Sequence, residues 1–447
     1  MFKRVLIANR GEIAQRIMRA CRELGIETVC VYSTADKDAP YLRDADEAIC
    51  IGPGPSKDSY LNISRIISAA EVADVDAIHP GYGFLAERAD FSEICRECKI
   101  EFIGPSPEAM SKLGDKIEAK RYARAAKVPV FAGTEGEIEE LDEAVEVAAE
   151  IGYPVIIKAS AGGGGRGMRI CRNEASLRTN VAKAQQEALA AFGNGGVFVE
   201  KFLEHARHVE VQVIGDKHGN AIHLWERDCS MQRRHQKIIE EAPAPGVERK
   251  KIEKVCEAAA KLIKSADYAG AATVEFLMDD KQNFYMLEVN TRVQVEHPIT
   301  EMITGIDIVK TSIQVAAGEK LAHKQKDIKV HGHSIECRIN AEDHTKDFRP
   351  SAGLIETYRA PGGLGVRIDS HVCAGYRVPP NYDSMIGKLI VHAETREAAI
   401  TRAARALHEF EVSPIKTTIP LHAELMQNSD FKKGGVDIHY LERLLKD

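Results

Sequence analysis

PVIIKASAGGGGRGMR, residues 154–169, decides how the rest of the chain is read. A short apolar run ends at Lys158, and Gly162, Gly163, Gly164, Gly165 and Gly167 follow it closely. Glycine lacks the Cβ that would hold backbone N–H groups away from an anion. A glycine run after a strand that ends in lysine therefore predicts a phosphate-binding loop. It is not a Walker loop, because there the lysine follows the glycines. Such a loop also suits a lid that closes over a nucleotide.

Toward the N-terminus, residues 3–8 (KRVLIA) read as a buried strand. Ile13, Ile17, Cys21 and Leu24 form one helical face, and ETVCVY is a second strand, which makes a βαβ opening. Its turn, Asn9-Arg10-Gly11, holds one glycine where a dinucleotide fingerprint has three, so an NAD site is disfavoured. The α/β alternation runs to about 110 and includes AIHPGYGFLAE. There His79, Tyr82 and Phe84 follow a strand, at the end where open α/β sheets bind ligands. Residues 153–213, with short strands and dense glycines, predict a small β-rich insert. Long strands and helices return over 204–330, and a further α/β segment with a helical tail begins near 331.

The 447 residues carry 60 Lys+Arg against 67 Asp+Glu, a net charge of −7, with 44% hydrophobic and 28% charged residues. That balance fits a soluble globular chain and gives no basic excess for nucleic acid. No apolar run reaches the length of a membrane span or a signal-peptide core, so no membrane partner is expected. Ten dispersed cysteines are too dilute for a disulfide scaffold and point to the reducing cytoplasm. Cys95 and Cys98 lack a second pair and read as packed thiols rather than a zinc site.

Glu288-Val-Asn290-Thr-Arg292-Val-Gln294-Val-Glu296 follows a hairpin pattern, TVEFLMDDKQNFYMLEVN. If it is extended, its five polar residues share one face. With Glu275 on the preceding strand, Glu288 and Asn290 supply the oxygen ligands that Mg²⁺ prefers beside polyphosphate. RDCSMQRRHQK concentrates Arg227, Arg233, Arg234, His235 and Lys237, which fits either an anion site or a charged surface. Arg338 shares parity with Glu336 and reads locally as half of an ion pair.

Taken together, these segments resemble the biotin carboxylase family. The likeness spans essentially the whole chain: ANRGEIA at 8–14, HPGYGFLAE at 79–87, GDK at 114–116, PVIIKASAGGGGRGMR at 154–169, ERDCSMQRRHQK at 226–237, EVNTRVQVEHPITEMITG at 288–305, ECRINAED at 336–343 and NYDSMIGKL at 381–389. The resemblance implies an α/β ATP-grasp fold. Its parts would be an N-terminal Rossmann-like domain (1–113), an ATP-grasp region (114–330) with a lid at about 131–203, and a C-terminal α/β domain (331–447).

It also implies roles. Lys116, Lys158, Gly164 and Gly165 would hold ATP phosphates, and Glu200, Lys201, Phe202 and Leu203 would read adenine, with Glu200 accepting from its amine. His208, Gln232 and His235 match nucleotide contacts, and Glu275, Glu288 and Asn290 match ligands of Mg²⁺ or Mn²⁺, two ions in all. Lys237, Arg292, Gln294, Val295 through its backbone, and Glu296 match the bicarbonate site. Tyr82, Arg338 and Asp383 match the biotin site, and Arg292, Glu296, Lys237 and Arg338 the catalytic set. None of the ten methionines is followed by lysine, so the biotinylated Met-Lys-Met motif is missing. The expected substrate is biotin on a carrier protein of a separate chain, with a carboxyltransferase subunit as further partner and a homodimer as the assembly. GFLAERADF and EDHTKDFRP depart from common family patterns outside these positions. Two other readings use the same elements: an ATP-grasp carboxylate–amine ligase, and a non-catalytic nucleotide-binding regulatory subunit.

Overall fold

Val5, Leu6 and Ile7 leave no surface to water, and that burial makes β1 (Arg4–Ile7) the centre of a parallel sheet. The computed structural model describes residues 1–138, 140–160 and 168–446. Beside β1 lie β2 (Glu27–Tyr32), β3 (Glu47–Cys50), β4 (Ala77–His79) and β5 (Glu101–Phe102), all parallel, in the order β3-β2-β1-β4-β5. The helix Gly11–Glu23 buries Ile13, Ile17 and Cys21, as its apolar spacing requires. The strand order reverses between β1 and β4, so the loops after them form the crevice of a doubly wound sheet. Asn9 ties the two loops by donating from Nδ2 to the carbonyls of Pro80 and Tyr82, both at 2.7 Å. Gly81 sits at φ +64, where a Cβ would come within 2.9 Å of that amide nitrogen.

A three-stranded unit follows: β6 (Val155–Ala159), β7 (Arg169–Cys171) and β8 (Val197–Lys201), in the order β7-β6-β8. The helices Leu141–Ile151 and Glu174–Phe192 pack on it and share its own apolar cluster, which includes Ala144, Val155, Ile157, Leu177 and Val199. The expected β-rich insert is therefore half helical. Its helical content escapes period reading because Glu174–Phe192 is rich in Ala and polar residues, with a weak apolar stripe. Gly164 and Gly165 lie outside the described residues.

The largest sheet is antiparallel: β9 (Arg207–Gly215), β10 (Ala221–Arg233), β11 (Gln236–Ala242), β12 (Gly270–Met278), β13 (Phe284–Asn290), β14 (His333–Asn340), β15 (Val366–Ser370) and β16 (Met385–Ala393). Their order is β13-β12-β9-β10-β11-β14-β16-β15. Residues 207–215 thus belong to this sheet and not to the insert. The sheet also continues across position 330 through the β11–β14 pairing. In β9 the valines 209, 211 and 213 pack with Ile252, Val255 and Cys256 of the helix Arg249–Ser265. The other face of β9 carries His208, Glu210 and Gln212, equally buried but polar. That face is where the chemistry collects. No described helix is long and apolar enough to cross a membrane.

Three buried imidazoles make the fold acid-sensitive. Burial pushes His79 down to about 3 and His223 and His422 down to about 4, whereas an unfolded histidine titrates near 6.5. Between those values the unfolded chain binds protons that the native chain refuses, so stability falls as the pH falls from 6.5 toward 4. These three protons alone contribute a slope of up to about 4 kcal/mol per pH unit. Urea midpoints at pH 7.5, 6 and 5 are expected to fall steeply below 6.5; a flat profile contradicts the burial of these rings.

Candidate active site

Register places Glu210 opposite Glu275, and Glu275 opposite Glu288, so three carboxylates lie side by side on β9, β12 and β13. Like charges directly opposite repel, and such a row needs a cation. Lys237 on β11 supplies it: Nζ lies 2.6 Å from Glu210 Oε2, 3.0 Å from Glu275 Oε1 and 2.6 Å from Glu296 Oε1. Burial opposes its charge, yet the three carboxylates hold the ammonium well above its ordinary range. In return, Lys237 overcomes the burial penalty on Glu275 and Glu296 and keeps both well below the usual carboxylate range. Glu288 goes the other way: burial and the charge of Glu275 raise it, against the pull of Lys116. His208 Nε2 lies 3.3 Å from Glu275 Oε2. Ligand atoms of His208, Glu210 and Glu275 all fall within 4.8 Å of one another.

Beneath this row, Arg227 on β10 is completely buried. Its guanidinium donates to Glu210 (2.6 Å), Gln212 (2.7 Å), Thr300 (3.0 Å), Thr273 (3.2 Å) and Gln294 (2.8 Å). It thereby orients Gln294, whose Nε2 donates to Glu275 at 2.8 Å. Arg227→Met strands the polar groups around it and is expected to destabilise the protein by about 3–5 kcal/mol. A urea midpoint within error of wild type would show that Arg227 is not this keystone.

The polar alternation from Glu288 onward is extended only as far as Asn290, where β13 ends. Residues 291–296 form a loop and turn, and Glu296 occupies the N-cap of the helix His297–Thr304. Gln294 and Glu296 reach the site through that turn and not through strand parity. Glu296 Oε2 meets Arg338 Nη2 at 3.0 Å, while Arg338 Nε donates to Glu240 at 2.6 Å. Burial and the charge of Glu296 push Glu240 up to about 7 despite Arg338. Glu336, opposite Glu240 in register, is raised well above the carboxylate range by burial, and neither of its oxygens has a partner among the described residues. Arg292 is turned elsewhere, to Glu87 at 2.9 Å and Asn290 Oδ1 at 3.0 Å.

A second group of cations lies toward the three-stranded unit. The buried Glu200 carboxylate pairs with Lys158 at 2.7 Å and with Lys120. Its side chain is thus held between the two lysines. Lys116 opens the helix Lys116–Ala125; burial lowers it while Glu288 and Glu200 draw it up. Lys201 donates through Nζ to the carbonyls of Gly152 (2.9 Å) and Tyr153 (3.2 Å), and the backbone N–H of Phe202 donates to Pro154 at 3.1 Å. Leu203 follows at the half-buried edge of this segment. Gln232 is buried at the end of β10, beside a two-residue turn in which Arg234 and His235 both have positive φ, 48° and 65°. Left-handed backbone at two non-glycine residues is strained, and such strain concentrates at functional sites.

On the far side of Arg338 is a cavity of about 440 Å³ whose lining includes Tyr82, Val295, Arg338 and Asp383. It lies between the crevice of the parallel sheet and the large antiparallel sheet. Site residues are therefore drawn from both, with Glu296 at the junction between this cavity and the carboxylate row.

Comparison with known proteins decides what this arrangement belongs to. "Biotin carboxylase, N-terminal domain" matches residues 1–110, "Carbamoyl-phosphate synthase L chain, ATP binding domain" matches 115–324, and "Biotin carboxylase C-terminal domain" matches 336–443. Biotin carboxylase 1 of Bacillus subtilis is 55% identical over 443 residues, covering 99% of this chain and 98% of that one. The chain belongs to the biotin carboxylase family. The Campylobacter jejuni biotin carboxylase structure, described as a β,γ-ATP complex, superposes with a TM-score of 0.96 at 52% identity over 99% of both chains. The biotin carboxylase domain dimer of 2-oxoglutarate carboxylase from Hydrogenobacter thermophilus, in complex with MgADP, ADP and bicarbonate, gives 0.95 at 50% identity, covering 100% of this chain and 99% of that one. The ATP-grasp fold expected from sequence is the fold observed.

Most residues that sequence singled out converge. Lys237 and Arg338 meet on the Glu296 carboxylate, Lys237 and Gln294 meet on Glu275, and Glu275, Glu288 and Asn290 share one sheet face. Tyr82, Arg338 and Asp383 line one cavity. Arg292, paired with Glu87, stands apart from the Lys237–Glu296 contact. Sequence reading missed Glu210, Lys120, Glu240 and Glu87. Of these, Glu87 closes the segment HPGYGFLAE and Glu210 is the middle polar residue of His208-Val-Glu210-Val-Gln212, but neither stands out locally as a site residue.

Proposed function

We propose that Glu296, Lys237, Arg292 and Arg338 carry out the family reaction, the ATP-dependent carboxylation of biotin by bicarbonate. The observation that carries this assignment is the Glu296 carboxylate, held by Lys237 at 2.6 Å and Arg338 at 3.0 Å where the two halves of the site meet. Bicarbonate is an anion with a proton to lose. Lys237 and the Gln294–Val295 turn bind it, and Arg292, released from Glu87, holds it in line with the γ-phosphate. Glu296 takes its proton. Each contact the anion takes from Lys237 is one fewer holding down the charge on Glu296, so binding itself strengthens the base. The bicarbonate oxygen attacks the γ-phosphorus, ADP departs, and carboxyphosphate remains. Its C–O bond to the bridging oxygen then breaks to give CO₂ and phosphate. That phosphate removes the N1′ proton of biotin, and Arg338 stabilises the ureido enolate that attacks CO₂.

Lys116 and Lys158 are assigned to the ATP phosphates, together with Gly164 and Gly165. Lys201, Phe202, Leu203 and the Glu200 backbone are assigned to adenine, and His208, Gln232 and His235 to further nucleotide contacts. The Glu275–Glu288–Asn290 face fits a divalent cation. Its donors are hard oxygens, and burial beside Glu275 leaves Glu288 with an undercompensated charge. Magnesium or manganese held there, in two ions, offsets phosphate charge. Tyr82 and Asp383 flank the biotin ring. The domains are assigned as 1–113, 114–330 with a lid over 131–203, and 331–447.

The substrate is assigned as biotin on a separate carrier chain, with a carboxyltransferase partner. The dimeric Hydrogenobacter relative supports a homodimer. Ten free cysteines support a reducing, cytoplasmic setting. ATP cleavage with Mg²⁺ tests the assignment: it is expected to require bicarbonate and to be stimulated by free biotin. Turnover indifferent to both would point to another ATP-grasp ligase, and ATP binding without turnover to a regulatory subunit.

A further inference from the structure

Lys388 lies on β16, opposite Arg338 in register, with no exposed surface. An ammonium this deeply buried needs a reason to be charged there. Its Nζ donates to the carbonyl of Val295 at 2.8 Å and lies 3.2 Å from Glu12 Oε1. The same Glu12 oxygen accepts the hydroxyl of Tyr82, which lines the cavity. One residue earlier on the turn, the Gln294 carbonyl is 2.7 Å from His297 Nδ1. Two consecutive carbonyls of the turn are thus fastened from below. In a trans peptide the N–H points opposite its carbonyl, so the fastenings also set the directions of the Val295 and Glu296 amides.

We propose that Lys388 is a positioning residue for the Gln294–Glu296 turn, and that Tyr82, Glu12 and Lys388 form a relay between the cavity wall and that turn. The proposal rests on the bicarbonate assignment above. A ligand that engages the Tyr82 hydroxyl takes it from Glu12, leaves that carboxylate to Lys388 alone, and so reaches the Val295 carbonyl without touching it.

The test is titration of ¹³C-bicarbonate against the full chain with MgADP present, followed by carbon relaxation, for wild type, Lys388→Met and Glu12→Gln. Lys388→Met is expected to weaken bicarbonate at least fivefold while the affinity for ADP stays within twofold. Glu12→Gln, nearly isosteric, is expected to give the same split with a smaller change, and it decides the matter should Lys388→Met not fold. Unchanged bicarbonate affinity, or an equal loss for ADP, overturns the relay. A wild-type chain that binds bicarbonate but does not cleave ATP would sink the functional assignment and leave the relay standing.

Discussion

Glu296→Ala is expected to abolish turnover, lowering kcat by about 10³-fold or more, while the protein folds and binds ATP as wild type does. The reason folding survives lies in the charges left behind. Lys237 keeps Glu210 at 2.6 Å and Glu275 at 3.0 Å, and Arg338 keeps Glu240, so neither cation is stranded. What disappears is the carboxylate that Lys237 and Arg338 hold between the carboxylate row and the cavity. Bicarbonate-dependent ATP cleavage, read beside a thermal melt and an ATP titration, checks this. Undiminished cleavage would remove Glu296 as the base.

Arg338→Ala is expected to separate the two half-steps. Biotin carboxylation should fall about 10²–10³-fold, the size of losing an oxyanion-hole donor. Bicarbonate-dependent ATP cleavage should fall less than tenfold, because Lys237 still holds Glu296. The substitution leaves Glu240 facing Glu336 without the guanidinium that lowers both, and burial, which already raises both carboxyls, then favours their neutral forms. Equal losses in the two assays would argue against a role confined to the enolate.

How much of this was legible before folding depended on whether a feature is local. The β1–helix–β2 opening and the β12–β13 hairpin show in the spacing of apolar residues, because strand and helix periods are written along the chain. Glu288 and Asn290 were readable in the same way, two apart on one strand. Gln294 and Glu296 were placed with the right neighbours by the wrong geometry, since the polar alternation continues past the point where the strand stops. Glu210 becomes a site residue only through cross-strand register with Glu275, and no spacing within β9 reveals that. Lys388 and Glu12 come from opposite ends of the chain, and nothing near either residue marks a partner. Arg292 is in place on its loop but paired with Glu87, a choice made by tertiary packing.

The central claim is that bicarbonate itself attacks the γ-phosphate and that its proton leaves through Glu296. Turnover with ¹⁸O-labelled bicarbonate tests it most directly. The account predicts one labelled oxygen in each phosphate released, because the bridging oxygen of carboxyphosphate stays with phosphorus when CO₂ departs. Phosphate carrying only unlabelled oxygen from water would mean that ATP is hydrolysed without carboxyphosphate, and would contradict the mechanism built on this site.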